Sequence, residues 1–181
     1  MKKVVVCLAN GFEEIEAIGI IDILRRADIF TMLTSVTGVR DVSGAHNIKL
    51  IADELFEDVD FSGFDMIVLP GGMPGSSNLK NHTGLRDIIL DFNNKGKLLG
   101  AICAAPMVFG DLGILENRNA TCYPGFGNQL KLAHVKSDRV VEDQNIITGI
   151  GPGAVFDFAL KLVEKLAGKE KAAIVAGQML I

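Results

Sequence analysis

Short apolar runs alternate with amphipathic stretches along the whole chain. Val4–Ala9 is continuously apolar, as expected of a strand buried on both faces. Glu14–Ala27 switches to helical spacing, with Ile15, Ile18, Ile21 and Leu24 recurring so as to share one face. The pattern predicts a second strand over Phe30–Val36, a shorter hairpin or excursion over Val42–Ile51, and a buried strand at Met66–Leu69 closed by Pro70-Gly71-Gly72. Leu85–Asn93 reads as a helix, Lys97–Ile102 as a strand and Pro106–Leu112 as a helix. Val140–Val141 and Ile146–Thr148 are short strands flanking the turn residues Glu142-Asp143-Gln144-Asn145. Ala154–Leu166 is strongly helical and Glu170–Leu180 more weakly so. Val/Ile/Leu-rich strands separated by amphipathic helices predict an α/β fold with a mostly parallel sheet covered on both faces. Ligands of such sheets bind beyond the carboxyl ends of the strands, so the loops after Ala9, Leu69 and Ile102 are expected to converge. No linker, repeat or low-complexity stretch interrupts the pattern, and one domain over residues 1–181 is expected.

Composition narrows the function classes. The net charge is −4, with Lys and Arg dispersed, so there is no basic stripe and nucleic acid is not an expected partner. No segment approaches the roughly 20 apolar residues of a membrane span. The opening Met1-Lys2-Lys3-Val4 run is short and passes directly into Asn10-Gly11-Phe12, which favours a first strand over a signal peptide. Cys7, Cys103 and Cys122 are too dispersed for a disulfide framework or a metal-ligand motif. A reducing cytoplasm is the expected setting.

The chemistry concentrates at Leu98–Pro106. An apolar run ends at Cys103, and Ala104, Ala105 and Pro106 follow into a helical segment. Small residues on both sides of one nucleophilic side chain are what a sharp strand-to-helix turn requires. A thiol there would sit near unpaired N–H groups that favour the thiolate, the reactive form. The same residue also reads as a small core cysteine. The first loop carries Glu13, Glu14 and Glu16; dipole complementation at a helix start accounts for Glu13 and Glu14, while Glu16 is placed to point inward. A carboxyl buried near Cys103 would be protonated or share a proton with sulfur. Gly71 and Gly72 allow close backbone approach, and the amides of Gly72 and Ala104 would form two halves of an oxyanion hole, although a plain turn explains the glycines equally. His46, His82 and His134 lie outside any motif and read as surface or loop residues.

Taken in order, Gly11-Phe12-Glu13-Glu14-Ile15-Glu16-Ala17, Arg25-Arg26-Ala27, Val68-Leu69-Pro70-Gly71-Gly72, Ala101-Ile102-Cys103-Ala104-Ala105-Pro106, Gly151-Pro152-Gly153 and Gly168-Lys169-Glu170-Lys171-Ala172 resemble the DJ-1/ThiJ/PfpI superfamily. Within it, the chain is similar to the DJ-1-like branch with bacterial members of the YajL type, from Lys3 to about Gln178. The resemblance implies a flavodoxin-like, doubly wound α/β sandwich (class I glutamine amidotransferase-like), usually a homodimer. It implies that Cys103 is the reactive cysteine, that Glu16 hydrogen-bonds it, and that Gly72 and Ala104 supply oxyanion donors. It implies cofactor-independent handling of 2-oxoaldehydes or their adducts, of glyoxalase or deglycase type. The alternative is a non-enzymatic oxidative-stress sensor or chaperone acting through Cys103 oxidation, so the partner is a small carbonyl compound or an oxidant. No metal or cofactor ligand is implied.

The chain departs from the family pattern at several places. Tyr123 stands where human-like members have a His and YajL-type members an aromatic residue, Ala104 where peptidase relatives have a His, and His46 where relatives have an Arg near the dimer interface. Proteolysis is therefore disfavoured, and no residue supports a thiazole site for thiamine synthesis. Cys122 is expected either to be buried and inert or to resolve an oxidised Cys103 as a disulfide, which requires a Cα separation within about 7 Å.

Overall fold

The computed structural model describes residues 1–181. In chain order the elements are β1 (Lys3–Leu8), α1 (Glu14–Arg26), β2 (Phe30–Ser35), β3 (Asp41–Ser43), β4 (Lys49–Ile51), β5 (Glu54–Leu55), β6 (Met66–Leu69), α2 (Gly75–Asn81), α3 (Thr83–Asn94), β7 (Leu98–Ile102), α4 (Pro106–Asp111), β8 (Asn119–Ala120), β9 (His134–Val135), β10 (Val140–Asp143), β11 (Ile146–Gly149), α5 (Val155–Ala167) and α6 (Lys169–Gln178). Seven strands form one sheet in the order β10-β11-β7-β6-β1-β2-β5. All neighbours run parallel except the edge pair β10–β11. This is the flavodoxin-like, doubly wound α/β architecture.

Strand periodicity divides the core in two. Val4, Val6 and Leu8 face one side with Met66, Val68 and Ile147, where α1 and α5 cover them. Val5, Cys7 and Ala9 face the other with Ile67, Leu69 and Leu99, against Ile89 and Phe92 of α3 and Val108 and Phe109 of α4. Alternate residues thus enter opposite layers, and every position of β1 from Val4 onward is buried. That is why the run is continuously apolar.

The Val42–Ile51 excursion is an antiparallel pair, β3 with β4. One sequence expectation fails on α1. Ile15 and Ile18 are 59% and 44% exposed, and the helix instead buries Glu14, Glu16, Ala17, Ile20, Ile21, Ile23 and Leu24. Hydrogen bonds to the Glu14 and Glu16 carboxylates turn that face inward, so the first two isoleucines land outside. Spacing alone favours the isoleucines; it carries no information on which acids find buried donors.

β1 has β2 on one side and β6 on the other, so the chain reverses its winding between β1 and β6. The loops that follow β1, β6 and β7 open at this switch point, where an open α/β sheet leaves a crevice.

Candidate functional site

Backbone hydrogen bonds lock the loops after β1 and β6 together. Glu13 N–H donates to Gly71 O at 2.9 Å and Gly75 N–H to Gly11 O at 3.1 Å. Glu13 is the N-cap of α1, and its Oε2 accepts the Glu16 N–H at 2.7 Å. The cap fixes the first turn and aims the Glu16 side chain beneath the β6 loop, where the residue is 0% exposed. Glu16 Oε2 accepts the Gly71 N–H at 2.7 Å. Its Oε1 meets no nitrogen or oxygen donor, and the neighbour facing the carboxyl is the Cys103 thiol.

Cys103 follows β7 with φ of +64°, a left-handed conformation costing roughly 1–2 kcal/mol for a residue with a Cβ. Its neighbours hold it there. Cys103 N–H donates to Gly149 O at 2.9 Å, Tyr123 N–H donates to Cys103 O at 2.8 Å, and Ala105 N–H donates to Ile102 O at 3.0 Å. Helix α4 begins only at Pro106, so Cys103 lies in the turn before the helix rather than in its first turn. The amides of Gly72 and Ala104 donate to no backbone carbonyl and point at the sulfur. They are placed to receive negative charge on sulfur or on an oxygen bound to it.

Gly71 is required by space. A Cβ there would stand 2.6 Å from Cys103 Cβ, 2.7 Å from Glu16 Oε2 and 2.8 Å from Ile102 O. At Gly72, φ is +89° and a Cβ would press on the Glu13 amide and on Gly11 O. Both glycines therefore exist for close approach, which the plain-turn reading does not require.

Burial pushes the Glu16 carboxyl up to about 7, against the downward pull of the Gly71 N–H. Burial, and next the Glu16 charge, push the Cys103 thiol up to about 12, against the Gly72 and Ala104 amides. The helix-terminus expectation of a freely ionised thiol is thus not met, because desolvation and a neighbouring anion outweigh the two amides. The pair behaves as a unit that carries one proton above about pH 7. Moving that proton from sulfur to carboxyl leaves the net charge of the pair unchanged and places the negative charge on a sulfur that faces two N–H donors.

Tyr123 is 46% exposed and its ring lies against Gly151, where a Cβ would stand 3.1 Å from Cδ2. Tyr123 and Cys122 line a cavity of about 210 Å³ with Pro124, Val135 and Ile150, and Cys103 is not among its lining residues. Cys122 belongs to the α3/α4 side of the core and Cys103 to the α1/α5 side. Although Tyr123 N–H reaches the Cys103 carbonyl, the two side chains pack with different parts of the hydrophobic core. Cys122 is 6% exposed, with its thiol raised by burial, and fits the inert role better than the resolving one.

None of the histidines serves Cys103. His82 caps α3 by accepting the Leu85 N–H at 3.0 Å, and His134 lies on the exposed strand β9. His46 Nδ1 meets Glu14 Oε2 at 2.7 Å. Sequence reasoning had no role for Glu13 and Glu14 beyond dipole complementation, yet one caps the helix and the other holds the 46–48 loop. The available signal was three acids within four residues, more than one helix terminus needs. Glu13, Glu14 and His46 are also the group whose donor atoms are close enough to hold a metal ion.

The model of the DJ-1/PfpI family matches residues 2–165. Protein DJ-1 homolog B of Arabidopsis thaliana is 42% identical over 182 residues, covering 99% of this chain and 42% of that protein. The chain therefore spans less than half the length of that relative. The Caenorhabditis elegans protein named glutathione-independent glyoxalase DJR-1.2 is 36% identical over 161 residues, covering 88% of this chain and 85% of that one. Among solved structures, oxidized Toxoplasma gondii DJ-1 matches with a TM-score of 0.96 at 37% identity, covering 99% of this chain and 98% of that one.

Proposed function

The chain belongs to the DJ-1/PfpI family, and on that footing we propose that it converts 2-oxoaldehydes such as methylglyoxal to hydroxy acids without a cofactor, or releases them from their adducts. The observation that carries this reading is the buried Glu16 carboxyl, raised to about 7, against the Cys103 thiol. A base poised near the working pH is what a proton shuttle needs. A C. elegans relative named as a glyoxalase supports the same chemistry.

The steps balance with water as the only co-reactant. Cys103 sulfur bonds to the aldehyde carbon, and the carbonyl electron pair moves to oxygen, which takes the proton held by Glu16. The Gly72 and Ala104 amides stabilise that oxygen while it carries charge. Glu16, now a carboxylate, removes the proton on the same carbon to give an enediolate; the proton on the first oxygen passes to the second, and Glu16 returns its own proton to the adjacent carbon, leaving a thioester. Water hydrolyses the thioester to lactate and frees Cys103. The Tyr123 backbone N–H holds the cysteine's own carbonyl, and the step requires no histidine.

A second reading is supported by the same geometry and by a structural relative solved in an oxidized form. Cys103 thiolate would consume two peroxide molecules and release two waters, giving a sulfinate that protonated Glu16 hydrogen-bonds. We also propose a homodimer, because Ile15 and Ile18 leave an apolar strip on α1 open to solvent. One experiment separates the readings: lactate production from methylglyoxal by wild type, Cys103→Ser and Glu16→Gln, with intact mass read after graded peroxide. Lactate from wild type, reduced at least 100-fold in both variants, sustains the enzyme. No lactate, with two oxygens gained at Cys103, overturns it in favour of the sensor.

A further inference from the structure

Every position of β11 is buried, and its residues are Ile146, Ile147, Thr148 and Gly149. Ile146 packs in the α3/α4 layer and Ile147 in the α1/α5 layer, so the alternation returns Thr148 to the side of Ile146. A valine would fill that place equally well. The hydroxyl, on a residue only 1% exposed, is the feature that requires a reason. Thr148 Oγ1 accepts the Thr121 N–H at 2.9 Å and donates to Val141 O, on the neighbouring strand β10, at a long 3.5 Å. Thr121 lies just past β8, where the chain has left regular structure, and Tyr123 follows in the same irregular segment. The Thr121 hydroxyl is buried without a partner, so its backbone N–H is its tie to the sheet. Tyr123 N–H in turn donates to the Cys103 carbonyl at 2.8 Å, and Gly149 O accepts the Cys103 N–H at 2.9 Å. Consecutive residues of one strand therefore secure both backbone groups of Cys103, Gly149 directly and Thr148 through the 121–123 segment.

We propose, on the reading that Cys103 is the reacting group, that Thr148 is a positioning residue: its hydroxyl fixes the segment whose Tyr123 N–H aims the Ala104 oxyanion donor. The Cys103 carbonyl and the Ala104 N–H belong to one peptide unit. That unit is planar and trans, so its C=O and N–H point in opposite directions. A donor on the Cys103 carbonyl thereby sets the direction of the Ala104 N–H, one of the two amides that point at the sulfur. Cys103 also keeps a left-handed backbone, with φ of +64°, which a residue with a Cβ holds only when its surroundings over-determine it. The Gly149 bond fixes the entry to the turn and the Tyr123 bond its exit. With the exit slack, the peptide is free to rotate and the Ala104 N–H leaves the line of the developing charge. A further tie, from the Asn119 N–H to Asp143 Oδ2 at 2.8 Å, lies at the far end of β8 and leaves the 121–123 segment to Thr148.

The test uses the full chain with Thr148→Val, which keeps the branched shape and removes the hydroxyl, and with Thr148→Ser, which keeps the hydroxyl and removes the methyl. Hydrogen exchange of the Tyr123 N–H is read by NMR. It is divided by that of Val5, which β2 and β6 flank in the sheet, so that a general loss of stability cancels. The second readout is kcat for lactate from methylglyoxal. In Thr148→Val the exchange ratio should rise about tenfold or more and kcat fall about tenfold or more, with Thr148→Ser within about threefold of wild type in both. A merely structural role predicts the opposite order, because the serine leaves a cavity and the valine does not. An exchange ratio or a kcat within about twofold of wild type in Thr148→Val, or a serine variant as impaired as the valine one, overturns the proposal. If wild type itself makes no lactate, the enzyme reading fails separately. The rate of Cys103 oxidation by peroxide then replaces kcat, and the same order of variants is required.

Discussion

Replacing Glu16 with Gln should make the protein more stable at alkaline pH while removing its proposed chemistry. The Glu16 carboxyl is raised from an ordinary 4.5 to about 7 in the fold. Between those values the folded chain holds a proton that the unfolded chain has released. The stability Glu16 contributes is therefore fully present below about pH 4.5 and is lost as pH rises through about 7. At roughly 1.4 kcal/mol per decade, the loss from acid to about pH 8 amounts to about 3 kcal/mol. Gln keeps a carbonyl for the Gly71 N–H and has no proton to lose. The two proteins should be of similar stability near pH 4, with the variant ahead by about 3 kcal/mol near pH 8. The assay is urea denaturation across this range, in chelator, with the difference between the proteins plotted against pH. Glu14, Asp65 and Asp111, whose carboxyls are lowered, contribute stability that is lost as pH falls, and His46, raised by Glu14, loses its contribution as pH rises. These contributions are common to both proteins and cancel in the difference. A difference that stays flat to within about 0.5 kcal/mol between pH 4 and 8 would refute the claim that burial holds Glu16 protonated.

Two other substitutions probe the site and the surface. Gly71→Ala puts a methyl group within 2.6–2.8 Å of Cys103 Cβ, Glu16 Oε2 and Ile102 O. Part of that contact is rigid backbone, so a destabilisation of about 1–3 kcal/mol in denaturant melts is expected, with at least a tenfold loss of kcat/KM for methylglyoxal; activity within twofold of wild type would sink the close-approach argument. Ile18→Asp places a charge on the open strip of α1, and sedimentation should show a shift from dimer toward monomer with unchanged circular dichroism. A wild-type protein that sediments as a monomer refutes the homodimer.

How far the molecule was legible in its sequence depended on which force placed each residue. β1, β6 and β7 are buried on both faces, so their apolar runs could be read directly. The strand-to-helix turn at Cys103 announced itself through small residues, because crowding there tolerates nothing larger. What the pattern did not carry was the electrostatics of burial. Ile15 and Ile18 match a helical apolar face as well as Ile21 and Leu24 do, yet the inward face of α1 is set by Glu14 and Glu16, whose donors come from the distant His46 and Gly71 amides. Such pairings exist only after the chain has folded. The same limit explains the thiol. A helix following Cys103 promised an easily ionised sulfur, but α4 begins three residues later and the nearest charge is that of Glu16. The site thereby keeps a single proton between a carboxyl and a thiol, instead of a standing thiolate. On the proposed reading such a protein holds its nucleophile in reserve until the proton moves to Glu16, and it accepts lower stability above neutral pH as the consequence of burying that acid.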